Sequence, residues 1–182
     1  MNPRLPALDD AAAPADARPV LDQVRRALGT VPNLHRTLAA APAALKAYAA
    51  PAGALAGGRL DPALREQVAV ATAGRNECAY CASAHTMLGK GAGVDEEELA
   101  QNLSCSSADP RTAAALAFVR TLLDTRGDVP DESLRTLRDA GFGDEEIVEI
   151  CAHVGMNWFT NVFNRLARTE IDFPVVELAA RA

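Results

Sequence analysis

The sequence predicts an all-α protein, a helical bundle of one domain, and three observations carry that prediction. Aromatic residues make up only 4% of the chain while alanine is plentiful, and strands ordinarily draw on Val, Ile, Thr and the aromatics. Apolar residues recur at three- and four-residue steps along most of the chain, with no alternation of useful strand length between them. Helix starts are also written out, above all by Asp61-Pro62 and Asp109-Pro110. There Asp suits the N-cap and Pro costs no hydrogen bond in the first turn.

Residues 1–18, with Pro3, Pro6, Pro14, Asp9 and Asp10, read as a flexible N-terminal tail. Val20, Leu21, Val24 and Leu28 mark one face of a short helix that Gly29-Thr30 closes. Pro32 opens the next segment. Leu34, Leu38, Ala41, Leu45 and Tyr48 keep helical spacing, so a helix or helix pair is expected over 32–57, ended by Pro51 and the glycines that follow. Leu64, Val68 and Ala71 carry the Asp61-Pro62 helix inward until Gly74-Arg75-Asn76 interrupts it, and a new helix runs from near Cys78 to Gly89 or Gly91. Asp95 and Glu96-Glu97-Glu98 load the first turn of another helix with the charge its dipole favours, a solvated start. Leu116, Val119 and Leu123 fill a helix from Asp109-Pro110 to about Arg126. Asp131 and Asp144 head two more, the second long, with Ile147, Ile150, Cys151, Val154, Trp158, Val162 and Leu166 in period to Arg168. The helical domain therefore spans 19–170, its Cys-x-x-Cys core lies at 61–92, and 171–182 read as a C-terminal tail.

Charge and hydropathy exclude several functions. With 18 Lys+Arg against 24 Asp+Glu the net charge is −6, and no basic patch of the kind that nucleic-acid binding needs is visible. No nucleic-acid partner is expected. Nor do 18 apolar residues run together anywhere, so no membrane span is expected. The first 18 residues lack the apolar stretch of a secretory signal. Four cysteines, Cys78, Cys81, Cys105 and Cys151, in such a chain point to a reducing, cytoplasmic setting, where a close pair is catalytic or metal-binding more often than structural.

Cys78-Ala79-Tyr80-Cys81, followed by His85 and preceded by Glu66, is the informative stretch. On one helix Cys78 and Cys81 differ by about 60° and Cys78 and His85 by about 20°, so both sulfurs and the imidazole share a face. The interruption at Gly74-Arg75-Asn76 places Cys78 in the first turn, where unpaired N–H groups and the helix dipole stabilise a thiolate. Such thiols have pKa values of roughly 3.5–7.5. A thiolate attacks an electrophile such as a peroxide oxygen, the sulfenic acid condenses with a neighbouring thiol, and a proton must reach the leaving oxygen. Glu66 is a candidate to orient the imidazole, although spacing alone does not place it. Two blander readings of the pair are a zinc half-site and small hydrophobes in an Ala-rich helix. Tetrahedral zinc needs four ligands, and His35, Cys105, His153 and Cys151 show no second pair at ligand spacing. Neither metal nor cofactor is expected.

In the last helix His153, Asn157, Asn161 and Asn164 form a polar stripe beside an apolar face holding Val154, Trp158 and Val162. This stripe reads as a hydrogen-bonded helix contact or subunit seam, or as a partial lining of the redox pocket. Cys105, in a Ser-rich loop, and Cys151, in a helix core, read as bystanders, and His35 reads as a surface or capping residue.

Glu66, Cys78-x-x-Cys81 and His85, together with Val31-Pro32-Asn33-Leu34, Leu60-Asp61-Pro62-Ala63-Leu64-Arg65-Glu66 and Asn161-x-x-Asn164-Arg165, resemble the alkylhydroperoxidase AhpD-like proteins of the carboxymuconolactone decarboxylase superfamily, in particular their peroxidase-related type. The resemblance covers most of residues 30–168. It implies a thiol-dependent peroxidase in which Cys81 attacks the hydroperoxide, Cys78 resolves it as a disulfide, and Glu66 and His85 relay protons. It also implies a lipoylated or thioredoxin-like dithiol reductant and a homo-oligomer, trimeric or hexameric. The founding peroxidase type carries an additional relay histidine between its cysteines, where this chain has Tyr80; Tyr80, His153 and Asn157 are candidate pocket residues. Two alternatives stand beside this reading. One is a decarboxylase-like lyase on the same fold, disfavoured because those relatives lack the cysteine pair. The other is a non-enzymatic thiol redox sensor or scaffold.

Overall fold

The computed structural model describes residues 2–178. Among them nine helices and no strands occur: α1 (Arg18–Leu28), α2 (Asn33–Leu38), α3 (Pro42–Leu55), α4 (Pro62–Arg75), α5 (Ala79–Gly91), α6 (Glu96–Asn102), α7 (Pro110–Thr125), α8 (Asp131–Asp139) and α9 (Asp144–Ala167). The all-α prediction holds. The segment expected over 32–57 is a helix pair, and Pro51 lies inside α3 rather than at its end.

Helix α4 is the axle of the bundle, packing against α5, α6, α7 and α9. Its start is the expected one, for Asp61 accepts a hydrogen bond from the Leu64 N–H at 2.9 Å. Val68, Val70, Ala71 and Ala73 are fully buried, so α4 is apolar nearly all round, as a helix surrounded by others must be. It divides two cores. On one side Leu21, Leu34, Leu38, Leu45, Tyr80 and both motif cysteines pack together; on the other, Val68, Leu116, Val119, Leu137 and Ile150. Burying one such Leu or Ile side chain contributes about 1.5–3 kcal/mol. The cysteine pair thus sits within the first core.

Neither end of the chain is a tail where it is described. The Arg4 and Leu5 N–H groups donate to the Ala167 carbonyl at 2.7 and 3.2 Å, and Ala13 and Ala17 are buried in the first core. Asp10 bridges Arg25 and Arg36 at 2.7 and 2.9 Å. At the other end Ile171, Phe173 and Val176 pack on the same core, and the Val176 N–H donates to Ser83 Oγ at 3.0 Å. Their apolar side chains find a partner in the groove beside α5, which composition could not reveal. The rest of the predicted C-terminal tail, 179–182, lies outside the described residues.

On α9 the polar stripe forms the hydrogen-bonded helix contact that its pattern suggests. Asn157, Asn161 and Asn164 are buried, whereas Trp158 is 53% and Val162 45% exposed; Ile150 and Val154 in the first half of the helix are inside. Cys151, expected in the helix core, is exposed. Polar partners on the loop between α4 and α5 select the asparagine side: Asn76 donates to Asn161 Oδ1 at 3.0 Å. Glu98 also departs from its expected solvated role, accepting from Asn102 at 2.9 Å, Gln67 at 3.2 Å and the Ala108 N–H at 3.1 Å, which pins the loop before α7.

Candidate active site

The turn joining α4 to α5 builds the site. The Cys78 N–H donates to Ala73 O at 3.0 Å and the Glu77 N–H to Gly74 O at 3.2 Å, a tight reversal that needs Glu77 in the left-handed region at φ 55°. Arg165 of α9 clamps this turn, donating to Asn76 O at 2.6 Å and to Glu77 at 3.4 Å. The result sets Cys78 one step before the expected first turn, as the N-cap of α5 itself, its sulfur accepting from the Cys81 N–H at 3.3 Å.

Cys81 follows in the first turn of α5. Its sulfur lies 2.7 Å from that of Cys78, which donates to it, and accepts a second bond from Asn164 Nδ2 at 3.2 Å. Burial is the largest single influence on the Cys81 thiol and would raise its pKa, but the Cys78 thiol, the Asn164 amide, the charge of His85 and the Asn161 amide together hold it down at about 7. Cys78 moves the opposite way. Its donated hydrogen bond would be lost on ionisation, and burial and the neighbouring Cys81 charge add to the rise. Cys81 is therefore the more acidic thiol of the pair.

His85 lies one turn beyond Cys81, and its Nδ1 meets Glu66 Oε2 of α4 at 2.7 Å. Burial, the strongest influence, pulls the imidazole down; the Glu66 charge and hydrogen bond, with help from Cys81, outweigh it and raise the pKa. Glu66 and His85 both line a cavity of about 260 Å³ between α3, α4, α5 and α9. His153 and Asn157 of α9 line it as well, joined by Tyr48, Leu55 and Met156.

Tyr80 does not belong to this cavity. Its hydroxyl accepts from the Leu34 N–H at 3.0 Å and its ring meets Phe173 edge-on at 5.6 Å. Together with Cys78, Asn164, Arg165 and the strap residues Asn2, Pro3 and Arg4 it lines a second concavity, of about 880 Å³. Cys81, only 2% exposed, lies between the two and lines neither.

The structure thus brings Cys78, Cys81, His85 and Glu66 together, sets His153 and Asn157 beside the last two, and leaves Tyr80 on the other side. His35 is neither a surface residue nor a cap. Burial lowers its pKa to about 4, its Nδ1 is buried without a partner, and its ring meets that of Tyr48 at 5.6 Å. Two contributors escaped the sequence reading. Tyr48 was read only as a helix-face residue, yet it lies close enough to Cys81 and Glu66 for their charges to raise its pKa, after burial, to about 12. Asn164 stands in the polar stripe and in Asn161-x-x-Asn164-Arg165, but neither pattern gives it a role of its own. Among the described residues no group of three or more His, Cys, Asp or Glu side chains is placed to hold a metal ion, and no helix is long and apolar enough to cross a membrane.

Fold and site together define an AhpD-like, all-α protein with a buried Cys-x-x-Cys centre. The family model of the carboxymuconolactone decarboxylase family matches residues 39–124, which include Glu66, both motif cysteines and His85. A peroxidase-related protein with an alkylhydroperoxidase AhpD core from Ralstonia eutropha JMP134 is similar at 28% identity over 93% of this chain and 92% of that one, with a TM-score of 0.85. Residues 39–124 of this chain thus match the carboxymuconolactone decarboxylase family, and the chain as a whole has the AhpD-like fold. Two more solved structures share the fold. A peroxidase-related protein from Silicibacter sp. TM1040 is 23% identical over 91% of this chain and 88% of that one, with a TM-score of 0.78. The debrominase Bmp8, solved as a cysteine-to-alanine variant with 2,3,4-tribromopyrrole, is 20% identical over 94% and 93%, with a TM-score of 0.79. No curated protein matches the sequence.

Proposed function

We propose that the protein is a dithiol-dependent peroxidase that reduces hydroperoxides through Cys81 and Cys78. The observation that carries this reading is the Cys81 sulfur, whose ionised form is favoured by two donors at 2.7 and 3.2 Å and by the charge of His85. Cys81 thiolate attacks the terminal peroxide oxygen, the O–O bond breaks, and the departing alkoxide takes a proton from His85, giving an alcohol and Cys81 sulfenic acid. Glu66 holds the imidazolium that supplies the proton. Cys78 then displaces water from the sulfenic acid, forming the Cys78–Cys81 disulfide, and an external dithiol reduces it while being oxidised to its own disulfide. A cytoplasmic setting, where thiols are kept reduced, and a lipoylated or thioredoxin-like donor suit this cycle. A trimeric or hexameric homo-oligomer belongs to the same reading, supported by the exposed Trp158, Val162 and Leu166 on α9.

Steady-state assays with hydrogen peroxide and cumene hydroperoxide, driven by reduced lipoamide, test the proposal. Sustained turnover that Cys81→Ser abolishes is expected, with Cys78→Ser reacting once and labelling as a sulfenic acid at Cys81. Stoichiometric oxidation without turnover would make the protein a redox sensor. Bromide release from 2,3,4-tribromopyrrole without peroxide turnover would assign the same thiols to reductive dehalogenation, and consumption of a carboxymuconolactone to the lyase class.

A further inference from the structure

The two cavities divide the chemistry spatially. Glu66 and His85 face the smaller one, while Cys78, itself only 1% exposed, lines the larger. The larger mouth has a charge of its own. Arg165 is occupied by Asn76 and Glu77, which leaves Arg4 of the strap and Arg168 at the end of α9 as exposed cations with Glu170 opposing them. Arg4 is fixed there by its own N–H and that of Leu5, both bound to Ala167 O. A chain of net charge −6 therefore presents a locally cationic rim around the approach to one sulfur.

We infer that the Arg4/Arg168-rimmed mouth is the docking site of the reductant, and that this reductant is a dithiol carried on an acidic protein surface. The inference rests on the thiol-cycle reading for its existence and adds the partner's chemistry and the face it uses. The direction of exchange agrees with the geometry. The incoming thiolate reaches Cys78, a mixed disulfide forms there, and Cys81 departs as a thiolate. The second thiol of the partner then attacks its own sulfur, releasing Cys78 as a thiolate that takes up a proton, and leaves the partner as a disulfide. Exchange runs faster when the leaving thiol is the more acidic one, and although Cys78 no longer has a proton to donate in the disulfide, the Asn164 amide, the His85 charge and the Asn161 amide remain to stabilise Cys81 as it leaves. Opposite charge on the partner raises the encounter rate and makes it salt-dependent. Entry through this mouth also leaves the Glu66–His85 cavity free for the oxidant.

The test isolates the reductive half-reaction. The Cys78–Cys81 disulfide is formed with diamide, so no peroxide chemistry is involved, and is reduced by two synthetic dihydrolipoyl-lysine peptides, one flanked by glutamates and one by lysines. The acidic peptide is expected to react about tenfold faster or more at low salt, the gap closing at high salt as exposed charges are screened. The Arg4→Glu/Arg168→Glu double variant is expected to lose the preference, while its reduction by uncharged dithiothreitol stays at the wild-type rate. Equal rates for the two peptides, a preference that survives the double variant, or no reaction with either peptide would overturn the inference. Failure of peroxide turnover alongside the charge preference would overturn the peroxidase reading alone.

Discussion

At the scale of single residues, the asymmetry of the two sulfurs decides the chemistry. Alkylation of Cys81 is expected to rise with pH through about 7, while Cys78 stays unreactive across that range. Replacing Asn164 with Leu removes one donor from the thiolate and should raise the Cys81 midpoint by about one pH unit, as loss of a charged hydrogen bond implies; thiolate absorbance read against pH checks it. The Glu66–His85 pair and Cys81 also tie stability to pH in opposite senses. The His85 pKa is raised on folding, so the pair's contribution is complete below the ordinary value of 6.5 and is lost as pH rises through the folded value. The Cys81 pKa is lowered, so its contribution is complete above the ordinary 9.0 and is lost as pH falls through about 7. In Glu66→Gln, burial acts on His85 without its main counterweight. The imidazole should then titrate below 6.5 by NMR, and the first of the two stability trends should vanish from denaturation midpoints measured against pH. For turnover, Glu66→Gln and His85→Gln should each cost about 10²-fold, and the double variant little more than either, because one relay fails once.

At the scale of elements, α4 and α9 show what positions the site. The end of α4 runs against the segment after α6 so closely that a Cβ at Gly74 would strike the Leu103 backbone carbonyl. Backbone cannot yield as a flexible side chain can. Gly74→Ala should therefore destabilise the fold by about 1–3 kcal/mol and disturb the Cys78 turn one step further on, read together as a lower denaturant midpoint and a shifted Cys81 titration. Helix α9 shows what a periodic pattern leaves open. Periodicity placed Trp158, Val162 and Leu166 on one stripe and Asn157, Asn161 and Asn164 on another, and both stripes are real. Which one turns inward depends on partners from α5 and the α4–α5 turn, namely Cys81 and Asn76, that lie more than seventy residues away.

At the scale of the whole molecule, the chain ends and the exposed face of α9 carry the expectations. Removing residues 1–17 strips Ala13 and Ala17 from the core and Asp10 from Arg25 and Arg36. The expected loss is about 2–3 kcal/mol, a fall in melting temperature of about 5–10 °C for a chain of this size, measurable by calorimetry. Trp158, Val162 and Leu166 follow one another at four-residue steps, 53%, 45% and 58% exposed, an apolar row suited to the proposed association between copies. A Trp158→Glu/Leu166→Glu variant should run as a smaller species than the parent in size-exclusion chromatography with light scattering, with its helical circular dichroism intact.

Local information sufficed for much of this protein. Helix boundaries follow from short-range rules, so Asp61-Pro62, Asp109-Pro110 and Gly29 announced α4, α7 and the end of α1 correctly. The Cys78, Cys81 and His85 spacing is likewise a property of one helix, and the turn before it was visible in Gly74-Arg75-Asn76. Long-range pairing was not legible. Glu66 could be suspected but reaches His85 only because α4 and α5 pack antiparallel, Asn164 meets Cys81 across 83 residues, and the terminal segments looked like tails until the core offered a groove for them. Tyr80 and His153 were equal pocket candidates by sequence and were separated by which side of α5 each one faces. Backbone propensity and capping act within a turn or two and are written locally. The direction in which a face turns, and therefore the ionisation of a buried thiol, is set by whatever the rest of the chain brings against it.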